Sequence, residues 1–439
     1  MPPLSLPGPR RPALAQVLEF AFRPAEYVQR NLVRHGTVFL TKGLLGPVVM
    51  TASTEHAKRV FAAEPDTFET FAAQSLRGVF GERSVLVTFG PVHRRQRKLL
   101  TPPLHGPRLR AFGAQMLEVA LDHVERLRGG QRLLGHELTT EFTLDVILRT
   151  VFGVDGPRAH SLREILLGML RGFSPLTVFA PILQQRWFPP WRRFAEARDA
   201  FDVAVTSLVA ERRASTEPRS DVLSLLLEAR YDDGAPMDDA EIRQQLLTLL
   251  IAGHETTAIT LAWVLDFVLR RPAILARLTD EVRDQRDPDA IAKLPYLGAV
   301  IDETMRIAPV VTDVPRLTRV PFELEPGLVI PEGTPLGVLI EGIHRDPAIY
   351  PDPSEYRPER FLERKFSPTE FLPFGGGNRR CLGAAFSEHE ARIFLAALLD
   401  RVVLEPRSST PSKRVRRNVT MGPDDGVPLR VARVLGSAA

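Results

Sequence analysis

FLPFGGGNRRCLGAAF, residues 371–386, holds the one cysteine of a 439-residue chain. Three glycines and two arginines precede Cys381, and small and apolar residues follow it. A lone cysteine is most often a small buried hydrophobe. Here the neighbours point elsewhere. Gly375, Gly376 and Gly377 leave the backbone bare, so another backbone or a flat ligand can approach closely. The apolar-periodic segment LGAAFSEHEARIFLAALL places Cys381 near a helix N-terminus, where unpaired N–H groups favour a thiolate over a thiol. Arg379 and Arg380 add positive potential.

One cysteine excludes an internal disulfide, a cysteine zinc site and an iron–sulfur cluster. Two uses of an anionic sulfur remain. One is a nucleophile with a base from among ten histidines. The other is the proximal ligand of haem iron, with the arginines on the propionates. The net charge of +4 is dispersed along the chain and aromatics are 7% of it, which argues against nucleic acid as a partner. The start, MPPLSLPGPRRP, lacks the apolar core of a secretory signal, and with one cysteine the expected compartment is the cytoplasm. Apart from part of one helix, no uncharged run is long enough to cross a bilayer, so no membrane anchor is expected.

Along the chain, residues 1–12 form a Pro-rich extended entry. TVFLTK (37–42) and PVVMT (47–51) are β-branched and flanked by glycine, a hairpin pattern. β-rich portions are expected at about 37–52 and 310–345, the second including FELEPGLVIPEGTPLGVLI. Residues 91–270 are mostly helical in pattern, and helix returns over 381–400. VTMGPDDGVPLRVARV (419–434) reads as a hairpin around its Pro-Asp-Asp-Gly turn.

The helix from about Asp239 to Arg270 is apolar almost all round, so it belongs in the centre of the fold. Asp238 and Glu241 form a capping box at its start. Within it lies AGHETT (252–257), whose polar groups cost free energy in a buried helix unless they act. Gly253 is read as opening the helix, and Glu255 and Thr256 as a polar notch that relays protons. PVHRRQRKLLTPP (91–103) reads as a short helix on which His93 and Arg97, four apart, address one ligand. ETMR (303–306) and YRPERF (356–361) supply Glu303, Arg306 and Arg360, a network with the character of a structural brace.

The order H-x-x-x-R, A-G-x-E-T-T, E-x-x-R, P-E-R-F, F-x-x-G-x-R-x-C-x-G resembles the cytochrome P450 family of haem-thiolate monooxygenases. Phe374, Gly377, Arg379, Cys381 and Gly383 all match the cysteine signature. The motif style is closest to cyanobacterial and myxobacterial members, several of which act on terpenoids or fatty acids. Many soluble bacterial members carry histidine where this chain has Arg379. The resemblance covers nearly the whole chain. It implies a mainly α fold with small β-sheets, a single domain over 1–439, built as a helix bundle around one buried haem b. It also implies Cys381 as the metal ligand, with haem contacts from His93, Arg97, Ala252, Gly253, Arg316, Phe374, Gly375, Arg379 and Gly383. Thr256 and Glu255 would be the catalytic alcohol and acid, and Glu303, Arg306 and Arg360 the structural triad.

The expected activity is oxygen activation and hydroxylation or epoxidation of a lipophilic small molecule, such as a terpenoid, fatty acid or steroid-like compound. The alternatives are a peroxide-driven peroxygenase and a non-enzymatic haem sensor. Both make less use of the Glu255–Thr256 pair. The expected pocket walls are Phe68, Phe71, Leu76, Phe80, Leu86, Leu249, Val310, Val311, Val314 and Met421. GFSPLTVFAPILQQRWFPPW (172–191) is expected to act as a lid over them. No G-x-G-x-x-G follows a strand, so electrons must come from a separate ferredoxin and its reductase. Arg94, Arg95, Lys98 and Arg380 form the expected docking patch on a monomer.

Overall fold

A computed structural model describes residues 4–44, 46–172 and 181–435. The longer helices are α1 (Ala13–Phe22), α2 (Pro24–His35), α3 (Thr54–Ala62), α4 (Ala73–Phe80), α5 (Gly90–Leu100), α6 (Gly106–Glu125), α7 (Gly135–Thr150) and α8 (Gly156–Gly172). After these come α9 (Pro189–Ala214), α10 (Asp239–Leu269), α11 (Pro272–Val282), α12 (Pro295–Ile307) and α13 (Ala384–Arg401). The strands are β1 (Val38–Gly43), β2 (Gly46–Thr51), β3 (Phe68–Thr70), β4 (Arg132–Leu134), β5 (Asp313–Thr318), β6 (Phe322–Glu325), β7 (Leu328–Ile330), β8 (Pro335–Leu339), β9 (Val402–Pro406), β10 (Arg414–Arg417), β11 (Thr420–Pro423) and β12 (Pro428–Val434).

The sheets follow from where apolar alternation can be buried. β1 and β2 form the expected hairpin, with Val38 opposite Thr51. β2 then pairs in parallel with β8, and β8 with antiparallel β5, giving the order β1-β2-β8-β5-β3. This sheet has its own core of Phe39, Val49, Leu336, Val338 and Tyr27 from α2. The larger core joins α6, α7, α9, α10, α12 and α13 around Phe142, Leu246, Leu261 and Phe394.

α10 runs through this core. Asp238 caps it by accepting from the Glu241 N–H at 2.9 Å. The capping box is only half made. The Glu241 carboxylate turns inward and accepts from Gln96 Nε2 (2.8 Å) and the Tyr231 hydroxyl (2.5 Å). α10 is long and apolar enough to cross a bilayer, but two thirds of its most apolar stretch is buried inside the fold, as in a core helix.

The C-terminal hairpin differs from the sequence reading. β11 pairs with β10 around Asn418, while β12 leaves it and pairs with β9 and β4. The Pro-Asp-Asp-Gly stretch is therefore a crossover. Burial decides this: Leu429 and Val431 of β12 enter the main core beside Leu404. The crossover is pinned by the backbone N–H groups of Gly135 and His136, which donate to the carbonyls of Val427 and Gly426 at 2.8 and 3.0 Å.

Candidate functional site: the Cys381 loop and the face of α10

The loop before Cys381 is shaped by its glycines against α3. Gly377 has φ +63°, and a side chain there would overlap the Phe61 carbonyl, while one at Gly376 would overlap the Phe61 ring. So the close neighbour of these two glycines is a protein segment, not a ligand. Gly383 is different, because a Cβ there would meet nothing within 4 Å. The Cys381 N–H donates to the Phe374 carbonyl at 3.0 Å, closing the loop. Cys381 lies deep in the protein yet keeps accessible surface on one side. Burial pushes its thiol up. The Gly383 N–H and the charges of Arg380 and Arg97 oppose that without reversing it. Position near a helix N-terminus alone does not make this sulfur a thiolate, whereas a coordinated metal ion would deprotonate it outright.

Beside this loop lies a group of cations without an ion-pair partner, with Glu69 acting only at longer range on Arg379. Burial, then Arg379, Arg97 and Arg316, hold the buried His93 ring down at about 3. Burial and the Arg379 charge bring Arg316 to about 10, and burial and Arg97 bring Arg379 to about 10. Among the described residues, none of the three arginines forms an ion pair. Their partners are carbonyls: Arg97 donates to Arg380 (2.8 Å), Arg316 to Pro315 (3.0 Å), and Arg379 to Val85, Leu86 and Thr88. These arginines are half-buried and lack an ion pair, and taking charge out of water without a partner is unfavourable. Such a cluster fits a ligand that brings anions with it. With an accessible sulfur beside it, the donor set suits a flat group with two carboxylates and a thiophilic metal.

α10 passes these residues without a break. Gly253 does not open the helix. Its Cβ position lies 3.1 Å from Ile147 of α7, and the adjoining contacts are Thr143 Oγ1 to the His254 carbonyl (3.1 Å) and Thr139 Oγ1 to that of Ala258 (2.9 Å). The glycine thus allows close helix packing. On another face, Ala252 is exposed in the middle of a buried helix, and Thr256 Oγ1 donates to its carbonyl at 2.9 Å. Burial pushes the Glu255 carboxyl above its ordinary range, with Arg417 of β10 opposing.

Other groups here were not foreseen. Thr257 Oγ1 lies 3.1 Å from both Gly253 O and Ser387 Oγ and within hydrogen-bond reach of the buried Glu390 carboxyl, which burial drives well above its ordinary range. The doubled threonine and the carboxylates inside the apolar-periodic α13 were the available signal. Arg417 had none, since its place depends on the β10–β11 hairpin.

The brace is complete. Arg306 donates to both oxygens of Glu303 (2.6 and 2.8 Å) and Arg360 Nε to one (3.1 Å), all three buried. Of the expected pocket walls, Phe68 and Val314 sit in the sheet core, Phe80 in the main core, and Met421 is buried, its carbonyl accepting from Trp263. Val310 packs against Trp263 and Tyr356. Phe71, Leu76, Leu86 and Leu249 are half-buried, and Val311 is exposed. Of the proposed lid, 172–191, residues 173–180 lie outside the described residues; in the remainder Ile182 and Trp187 are exposed and Trp191 is buried in the main core. A surface cleft of about 570 Å³ lies elsewhere, between α6, α7 and α8, and is lined by charged groups such as Asp122, Arg126 and Arg163. It contains none of the motif residues.

Two members of the basic patch are already engaged. Arg95 pairs with Asp233 (2.9 Å) and covers the Tyr231 ring, and Lys98 pairs with Asp232 (2.5 Å). Arg94 and Arg380 are exposed and form no ion pair among the described residues.

Comparison with known proteins agrees with the motif order. The family model for cytochrome P450 matches residues 5–427. The chain is similar to cytochrome P450 135B1 of Mycobacterium tuberculosis, 35% identical over 97% of this chain and 91% of that one. It is also similar to cytochrome P450 138 of Mycobacterium bovis, 34% identical over 96% and 94%. In fold it matches the retinoic acid-bound cyanobacterial CYP120A1 with a TM-score of 0.87, at 23% identity, over 99% of this chain and 100% of that one. A sole cysteine set beside half-buried arginines without ion pairs, the accessible patch on the core helix and these likenesses lead to one conclusion: the chain belongs to the cytochrome P450 family, haem b monooxygenases.

Proposed function

We propose that this monooxygenase oxidises a lipophilic, mostly uncharged small molecule, and that Cys381 would ligate the haem iron as a thiolate while His93, Arg97, Arg316 and Arg379 would hold the propionates. The observation that carries the assignment is the cluster of arginines without an ion pair beside the accessible sulfur. When bound through a thiolate, haem b supplies an electron-rich iron that favours O–O cleavage. This chain's own residues do the rest. The Gly383 N–H hydrogen-bonds the sulfur. Burial keeps a proton on Glu255 to higher pH than an exposed carboxyl would. Thr256 Oγ1, one residue on, passes protons from that acid towards the accessible face, and the apolar surroundings keep bulk water away.

The substrate class rests on the apolar character of Phe71, Leu76, Leu86, Leu249 and Val311. Electrons come from a separate ferredoxin and reductase in this reading. The ferredoxin docks where Arg94 and Arg380 remain unpaired, since complementary charge mainly raises the on-rate. The test is spectroscopic. Reduced protein under carbon monoxide is expected to give the thiolate signature, and Cys381→Ser to lose it while keeping some haem. An unchanged spectrum in that variant would remove Cys381 as ligand. Spin-state titration with terpenoids, fatty acids and charged hydrophilic compounds then tests the substrate class. Shifts confined to the charged compounds would reject it.

A further inference from the structure

The loop from Arg230 to Asp238 lays its acidic tip on α5. Arg230 and Pro236 form an antiparallel bridge, and Gly234 turns the chain at φ +81°. Both ends of this short hairpin are fixed. Tyr231 and Met237 are buried. The Tyr231 hydroxyl donates to Glu241, which also accepts from Gln96 of α5 at 2.8 Å. Residues 232–236 between them are exposed. From this tip both oxygens of Asp233 lie within reach of Arg95 Nη2, at 2.9 and 3.1 Å, and Asp232 pairs with Lys98 at 2.5 Å. The Arg95 guanidinium also lies over the Tyr231 ring, 3.7 Å from its centre.

Arg95 and Lys98 are three residues apart and share the outer face of α5. The inner face carries the buried His93, and Arg97 donates to the Arg380 carbonyl of the Cys381 loop at 2.8 Å. The outer face therefore adjoins that loop, where Arg380 is exposed. Arg94, Arg95, Lys98 and Arg380 are the cations of this side, and the two aspartates neutralise Arg95 and Lys98. Carboxylates on an exposed tip, seated on a basic helix, are what an acidic partner protein would bring to the same surface. The seating is light. The four side chains are between 46% and 79% exposed, and exposed pairs are worth little. Asp232 and Asp233 can turn away while Tyr231 and Met237 hold the loop in place.

We propose that Asp232 and Asp233 are a built-in competitor of the electron donor: they occupy Arg95 and Lys98, and an acidic donor protein displaces them on docking to reach all four cations. This rests on the reading that a ferredoxin docks at Arg94 and Arg380. It adds that the docking surface is wider than those two residues and is partly closed by a loop of the same chain.

The experiment uses the haem-loaded full chain under carbon monoxide and a pre-reduced, acidic two-iron ferredoxin, and reads the second-order rate of haem reduction. D232N/D233N is expected to raise that rate about threefold or more at low salt. The gain should close as the Debye length shortens from about 10 Å at 0.1 M to about 3 Å at 1 M. The melting temperature should stay at that of the parent, because exposed pairs add little to stability. The gain should also depend on the cations it uncovers. In an R95Q/K98Q background the same substitutions should gain less, because only long-range repulsion of the donor is then relieved. Dithionite should reduce D232N/D233N and the parent at the same rate. Three results would overturn the proposal: D232N/D233N no faster than the parent with ferredoxin, an equal or larger gain in the R95Q/K98Q background, or a matching rise in the dithionite rate, which would place the effect at the haem. R94E/R380E tests the docking reading separately. If it slows reduction by ferredoxin while D232N/D233N matches the parent, the donor docks here and the competitor alone falls. If R94E/R380E is reduced at the parent rate, the docking reading fails and the competitor with it.

Discussion

His93 and Arg97 lie on one face of α5, but their chemistry differs. In the cofactor-free chain burial and the neighbouring arginines hold His93 at about 3, so its ring meets an incoming ligand uncharged. Arg97 meets it charged. To a propionate carboxylate either bond would be one to a charged group, about 1.5–3 kcal/mol, and the guanidinium adds a charge-to-charge attraction that the uncharged ring lacks. Arg97→Ala should therefore weaken haem affinity more than His93→Ala, measured by titrating haem into the cofactor-free variants. Equal losses would show that the two groups do not act as neutral and charged donors to one ligand. Thr256→Ala should leave reductant consumption running while more of it ends as peroxide or water, read as the ratio of product to reductant consumed. Full coupling would reduce Thr256 to the helix-stapling role its bond to Ala252 also permits. These residues were legible because motif spacing is local: Cys381, Glu255 and Thr256 announce themselves within a few positions. Arg417 and Glu390 did not, since they reach the site from β10 and α13 through contacts more than a hundred residues long.

At the scale of the element, the Cys381 loop separates two kinds of glycine. Gly377→Ala must both adopt φ +63° and displace the Phe61 backbone. Positive φ alone costs roughly 1–2 kcal/mol for an L-residue, so a markedly lower melting temperature is expected. Gly383 has φ −86° and open space at its Cβ position. Gly383→Ala should leave the melting temperature of the cofactor-free chain unchanged and lower its haem occupancy. If both variants melt alike, the packing of the loop on α3 is not what holds it. The sequence showed that these glycines serve close approach. That Gly376 and Gly377 approach α3 while Gly383 faces open space depends on tertiary packing, which no spacing encodes. α10 shows the same division. Its length, its cap at Asp238 and its buried course were readable. The outcome at Gly253, close packing against Ile147 without a break, was not.

Across the whole molecule, several histidines are buried in their neutral form. Burial sets His93 and His344 at about 3 and His136 at about 4. For His344, the Nε2 lone pair is also used, accepting the Leu372 N–H at 2.8 Å. An unfolded chain protonates each of these rings near pH 6.5, and the native state does not. The unfolded state thus binds more protons below that pH, and stability falls as pH drops from about 6.5 towards 3–4. The slope is at most about 1.4 kcal/mol per pH unit for each ring. Urea midpoints of the cofactor-free chain between pH 7 and 4 should follow it, and His136→Gln should flatten the dependence. An unchanged slope would show that His136 titrates normally. The mainly α architecture with small sheets was legible from periodicity, whereas the destination of β12 was not, because its partners are remote. That remoteness matters during synthesis. Arg430 pairs with Arg132 of β4, and the buried Leu429 sits opposite Leu133. At about 5–20 residues per second, roughly 15–60 s separate the two strands as they leave the ribosome. Throughout that interval β4 stands without its partner strand, an unpaired edge until the end of the chain has emerged.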